Sequence, residues 1–295
     1  MATPQQYYVP AQSKWPIIAT VGLLVTFFGL GTWFNDLKAG HSASHGPWIF
    51  FAGALVIAYM MFGWFGAVIR ESRAGLYSPQ LDRSFRWGMG WFIFSEVMFF
   101  VAFFGVLFYV RMWAGPWLAG EGSKGVAHML WPNFEYAWPL LHTPDPKLFP
   151  PPQGTIDPWH LPLINTALLV SSSVTITFAH HALRKGHRTP LKLWLAATIG
   201  LGLCFLALQA FEYREAYHEL GLTLGSGIYG ATFFMLTGFH GAHVTMGTLI
   251  LIVMLVRILR GHFSADKHFG FEAASWYWHF VDVVWVGLFI FVYVI

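Results

Sequence analysis

A single cysteine, Cys204, stands among the 295 residues, which excludes an internal disulfide, a CxxC redox pair and a cysteine-based metal cluster. It sits in the apolar run LGLCFLALQ and reads as a small core residue. Charge is equally scarce. Asp, Glu, Lys and Arg make up 11% of the chain, against about 25% in an average soluble domain. A net charge of +3 gives no electrostatic footprint for nucleic acid, so no such partner is expected. Also missing are a Gly-rich phosphate loop, an HExxH pair and a G-x-S-x-G elbow. The N-terminus, MATPQQYYVPAQSKWP, lacks a basic region followed by a cleavable apolar stretch and reads as a retained tail. No period of 20 to 50 residues indicates a repeat array.

What is abundant is apolar and aromatic: 56% of residues are hydrophobic, with 29 Phe, 15 Trp and 11 Tyr. This composition points to a membrane protein, the Trp and Tyr supplying interfacial belts. A span needs about 20 mainly apolar residues. Seven stretches qualify: Trp15 to Phe34, Pro47 to Ile69, Trp87 to Met112, His160 to Leu183, Leu191 to Phe211, Gly225 to Val256, and Glu272 to Ile295. The chain therefore reads as one membrane domain, 1–295, all-α, with a tail at 1–14 and helices 1–2 within 15–69. A cytoplasmic loop follows at 70–86, helix 3 at 87–112, a long outer loop at 113–159, and helices 4–7 within 160–295. That outer loop contains LFPPPQGTIDPWHLP, in which proline removes donors and fixes φ, so it is not expected to be regular helix but to cap the membrane face.

Lys and Arg set the orientation, because cytoplasmic segments carry their excess. Lys14 and the 2–3, 4–5 and 6–7 connections hold 12 of the 17 basic residues, which puts the N-terminus in the cytoplasm and the C-terminus outside.

FIFSEVMFF, residues 92–100, sets one carboxylate, Glu96, among aromatic side chains. A lone ionised carboxylate in apolar surroundings needs a partner, a proton or water. Glu96 lies ten residues beyond Arg86 and Asp282 ten beyond Glu272, each roughly 15 Å into its span at ~1.5 Å per residue. His243, on the antiparallel span 6, lies somewhat deeper, at roughly 21 Å by the same rise. If helices 3, 6 and 7 adjoin, a pair such as Glu96 with His243 meets the cost of burial. His240 and His243, at i and i+3, can both face the same neighbour. Span 6 also carries Gly227, Gly230, Ala231, Gly238, Gly241, Ala242, Thr245 and Thr248, which read as a close-packing stripe.

Fourteen histidines raise the question of haem or copper. His180 and His181 in FAHHALRKG resemble copper ligands superficially, and His279 an axial ligand. Adjacent helical histidines, however, diverge by about 100°, so both cannot address one metal without a third ligand elsewhere. No spacing specifies copper or iron, and structural hydrogen bonding is the preferred reading. Ser171 to Ser173 read as groups bonding across helices or to their own carbonyls.

The stretches FIFSEVMFF, LPLINTALLVSSSVTITFAHHAL, LQAFEY, YGATFFMLTGFHGAHVTMGTLIL and HFGFEAASWYWHFVDVVWVGLFIFVYV strongly resemble subunit III of cytochrome c oxidase. The likeness runs in order through spans 2 to 7, while span 1 matches in position and character. It implies seven helices divided two and five around a V-shaped cleft filled by phospholipid, with no haem or copper in this chain. Haem a and copper would lie in partner subunits, the haem and copper centres in subunit I, with subunit II and small accessory subunits as further neighbours. The implied role is noncatalytic: stabilising subunit I, retaining lipids and aiding proton uptake. By motif, Glu96 resembles the family's buried, carbodiimide-reactive glutamate. Arg70 and Arg257 resemble its basic lipid-phosphate positions, with Trp64 beside the acyl chains. Seven helices favour the cytochrome c branch over the five-helix quinol branch. The extended segment from Pro116 to Leu148 is a departure, and it favours a bacterial plasma membrane with a periplasmic C-terminus. The rival readings are an autonomous proton-coupled transporter using Glu96, His243 and Asp282, and a haem-bearing redox protein.

Overall fold

The computed structural model describes residues 12–41 and 43–295, so residues 1–11 of the expected tail lie outside the described residues. Among the described residues the regular elements are all helical. Seven helices are long and apolar enough to cross a membrane. They are α1 Trp15–Lys38, α2 Gly46–Arg73, α3 Pro79–Tyr109, α4 Leu161–Arg184, α5 Arg188–His218, α6 Gly227–Leu259 and α7 Phe269–Leu288. A π-helical turn, Val110–Ala114, and a short turn, Gly115–Leu118, prolong α3, and a second π-helical segment, Phe289–Val294, prolongs α7. The described residues divide into two compact units, one ending at Phe85 and the other beginning at Arg86.

Helix boundaries exceed the apolar runs wherever polar residues can follow the helix into water. Thus α2 continues through Arg73 and α3 begins at Pro79 instead of Trp87, so most of the stretch read as the 70–86 loop is helical. Likewise α5 continues past Phe211 to His218. Backbone bonds are satisfied internally whether or not the side chains are apolar, so hydropathy marks the lipid-crossing part of a helix and not its ends. Pro16, Pro47 and Pro162 open α1, α2 and α4, where a missing N–H costs nothing. Gly186 and Gly261, at φ 72° and 69°, end α4 and α6. Each lets the next N–H reach back into the last turn, His187 to Ala182 O at 2.9 Å and His262 to Arg257 O at 3.0 Å, the wrap that left-handed glycine permits.

In the first unit, α1 and α2 pack backbone to backbone. A Cβ at Gly29 would collide with the main chain of Phe50, and one at Gly53 with Thr26. That is the small-residue contact by which membrane helices gain van der Waals packing without a hydrophobic driving force.

In the second unit, α7 is the central helix. Half of its most apolar window is buried, against 11% for α1, α2 and α3, which leaves those three helices broad faces for lipid or other subunits. Trp278 and Trp285 of α7 are wholly buried. The Trp278 indole donates to Ser172 Oγ of α4 at 2.8 Å and the Trp285 indole to Thr166 Oγ1 at 2.9 Å, so each ring adds apolar area while its one polar group is satisfied. Ser172 also donates to Leu169 O at 2.6 Å, so both readings of the serine run apply to it.

Two packing expectations need correction. At Gly241, the centre of the small-residue stripe on α6, a Cβ would meet nothing within 4 Å. Within the stripe Gly230 is tight against Thr223 and Ser226, and Gly247, outside the stripe, is tight against the rings of Trp278 and Tyr277. Small-residue spacing is necessary for close packing, but it does not say which side the neighbour takes. Cys204 is exposed on α5 and is not a core residue; in a span, an apolar context marks an outward face as well as an inward one.

The long connection packs on one end of the second unit. Tyr136 donates to Arg111 O at 2.6 Å, Gln153 N donates to Leu220 O at 2.8 Å, and Trp138 stacks edge-on to Tyr229 at 5.5 Å. Burial raises the Tyr136 phenol above its usual pKa against the lowering influence of Arg111.

Candidate functional site

Glu96 on α3 and His243 on α6 meet. His243 Nε2 lies 3.0 Å from Glu96 Oε2, and their side chains are 15% and 23% exposed for His243 and Glu96 respectively. The other ring nitrogen, Nδ1, lies 2.6 Å from Phe239 O. A carbonyl oxygen can only accept, so Nδ1 carries a hydrogen. The contact at Nε2 therefore holds one proton, on the carboxyl or on the imidazole, with a hydrogen bond in either case. Rings enclose the pair: Phe100 lies 5.0 Å and Phe99 5.8 Å from the imidazole, and Tyr277 stacks at 6.5 Å. Ser95, 3.4 Å from Glu96 Oε1, adds only a long contact. Chemically the arrangement can hold one proton between a carboxyl and an imidazole in an apolar wall.

His240 and Asp282 do not join this pair. His240 is 1% exposed and points Nε2 to Val281 O of α7 at 3.2 Å. Its ring lies 5.0 Å from Trp285 and 5.7 Å from Phe205. Asp282 is 5% exposed and neither oxygen has a hydrogen-bond partner of good geometry. Ser173, which stands near it, pairs with His279 Nδ1 at 2.6 Å. His279 Nε2 lies 3.4 Å from Thr177 Oγ1, so hydroxyls face both nitrogens of the residue considered as an axial ligand.

A further buried acid, Glu212 in LQAFEY, was legible only as part of a motif. Fully buried on α5, it accepts from Gln209 Nε2 at 3.0 Å and from Tyr293 Oη at 2.5 Å. The Gln three residues before it was the available signal, since i and i+3 share a helix face.

The basic positions differ in their surroundings. Arg70 is exposed on α2, and Trp64, 46% exposed, stacks on Phe65 at 5.5 Å. Arg257 on α6 is half-buried, its guanidinium 4.2 Å from the Phe263 ring centroid and its Nη1 4.0 Å from Met254 Sδ. Nε has no partner, and among the described residues no carboxylate pairs with it. A partly desolvated guanidinium with unused donors is a receptor for an anion.

Comparison with known proteins decides the family. The family model described as Cytochrome c oxidase subunit III matches residues 5–124 and 126–295. The chain belongs to the cytochrome c oxidase subunit III family. Cytochrome c oxidase subunit 3 of Danio rerio is 39% identical over 288 residues, covering 97% of this chain and 96% of that protein. Its counterpart in Drosophila melanogaster is 38% identical over 290 residues, covering 97% and 95%. That of Cyprinus carpio is 38% identical over 288 residues. The chain is accordingly a multi-pass integral membrane subunit of an oxidase complex. These relatives are animal proteins, so they lend no weight to the bacterial origin inferred from the outer loop.

Proposed function

We propose that this chain is a noncatalytic subunit of a proton-pumping cytochrome c oxidase, stabilising subunit I, retaining phospholipid and aiding proton uptake. Haem a and copper belong to partner subunits, the centres to subunit I, and subunit II and small accessory subunits complete the assembly. The observation that carries the reading is the Glu96–His243 pair, a hydrogen-bonded carboxyl and imidazole held in an aromatic wall. Family membership over nearly the whole chain supplies the complex in which such a store has a use, and it removes the ground for an autonomous transporter. Lipid retention is assigned to Arg257, which pairs with no carboxylate among the described residues, and separately to Arg70 and Trp64 on the first unit. Phosphate suits these sites because an arginine fork binds it through paired N–H donors. Basic residues concentrated in three connections support a cytoplasmic N-terminus, and a bacterial inner membrane with a periplasmic C-terminus is the setting proposed. Replacing Arg70 and Arg257 together with Gln should lower the phospholipid retained per purified complex, and an unchanged lipid content overturns the phosphate role.

A further inference from the structure

Sequence spacing left the histidine pair on α4 without a third ligand, and the folded chain supplies two more. His180 lies in the penultimate turn of α4, half-buried, while its neighbour His181 is exposed. His268 is the residue capping the start of α7, and Glu272 follows one turn later. The donor atoms that His180, His268 and Glu272 offer all lie within 4.8 Å of one another. Two imidazole nitrogens, His180 Nε2 and His268 Nδ1, are buried without a hydrogen-bond partner. The rings meet edge to face at 5.5 Å and 64°, and Phe271 closes one side, 5.8 Å from His180.

The two rings do not hydrogen-bond to each other, although one neutral imidazole could donate to the other, so both nitrogens stand unpartnered in this geometry. A single Lewis acid between them satisfies both lone pairs. We propose that His180, His268 and Glu272 form a binding site for a transition-metal dication, with Zn2+ the best match. Two imidazoles and one carboxylate are an established zinc donor set that leaves a fourth position open, whereas Ca2+ and Mg2+ want oxygen. At Zn–ligand distances of about 2.0–2.2 Å the donors stand about 3.3 Å apart, so the three must draw inward.

The opposing influences are two arginines. Arg184 stands near enough to act on His180, and Arg86 holds Glu272 Oε1 at 2.6 Å. The second Glu272 oxygen remains for the ion, so the metal and Arg86 share the carboxylate. This competition supplies a signature of its own: weakening Arg86 strengthens the site.

The full chain, purified in mild detergent and stripped with chelator, is titrated with Zn2+ by equilibrium dialysis and with Co2+ by visible absorption. One Zn2+ per chain is expected, with affinity at least tenfold weaker in each of His180→Gln and His268→Gln, as loss of a ligand should exceed the usual 10–100-fold effect of an outer partner only at its lower end. Arg86→Gln is expected to bind several-fold more tightly, a gain that damage to the fold does not produce. Zinc binding that is unaffected by both histidine changes, no stoichiometric binding by the parent chain, or weaker binding in Arg86→Gln overturns the site.

Discussion

Removing His243 should destabilise the second unit more than removing the Glu96 charge, and the geometry says by how much. In His243→Leu the Glu96 carboxyl keeps only the long 3.4 Å contact with Ser95. Interhelical hydrogen bonds in membranes contribute about 0.6 kcal/mol on average and about 1.7 at most, and a bond with one ionised or proton-sharing partner lies at the upper end. A further loss comes from leaving the carboxyl unpaired in an aromatic wall, so about 2–4 kcal/mol is expected for the single change. In Glu96→Gln the outcome differs. With Nδ1 donating to Phe239 O, Nε2 is an acceptor for the Gln amide, and the cost should stay below about 1 kcal/mol. Glu96→Leu with His243→Leu should recover part of the single losses, because no polar group is then stranded, giving a coupling of about 1–2 kcal/mol. Equilibrium unfolding of the full chain in mixed micelles measures all five proteins: the parent, Glu96→Gln, the two single Leu variants and the double variant. Additive losses in the double variant, or a Gln variant as unstable as the Leu variant, refute the shared-proton bond.

Carbodiimide should label the parent chain in α3 and fail to label Glu96→Gln, as mapped by mass spectrometry of the modified peptide; undiminished labelling there removes Glu96 as the reactive acid. Tyr293→Phe takes one of two donors from the fully buried Glu212 and should cost about 1–3 kcal/mol in the same unfolding assay. Gly29→Val, which drives a side chain into the Phe50 backbone, should separate α1 from α2 and expose that unit to limited proteolysis while leaving α3–α7 protected; an unaltered digest argues against the close contact. Trp278→Phe keeps most of the apolar area but strands Ser172 Oγ without its indole donor, with an expected loss of about 1–2 kcal/mol.

The seven spans and the Glu96–His243 contact were legible because both follow from a fixed rise per residue: length gives the span and position gives depth. Rotation about the helix axis is what depth arithmetic omits. It separates His240, turned to the α7 backbone and Trp285, from His243, turned to α3, although three residues divide them. It also takes Asp282 to the Ser173 side, away from the pair it matches in depth. The same omission made Gly241 look like a contact and Gly247 not. His268 and Glu272 are one turn apart at the start of α7, but His180 comes from the end of α4 with no spacing that ties it to them, so only folding brings the three together. In the outer loop, the partners of Tyr136 and Trp138 lie on α3's extension and α6, and proline-rich sequence carries no period from which to read them.

The most direct test of the central claim is purification of this chain from its native membrane in mild detergent, with an optical spectrum and oxygen uptake on reduced cytochrome c. Haem a and oxidase activity that accompany the chain in fixed stoichiometry, with a colourless spectrum once it is separated, are the predicted result. A chain that emerges alone with its lipids retained, free of haem and inactive, or one that keeps haem after separation, contradicts the account.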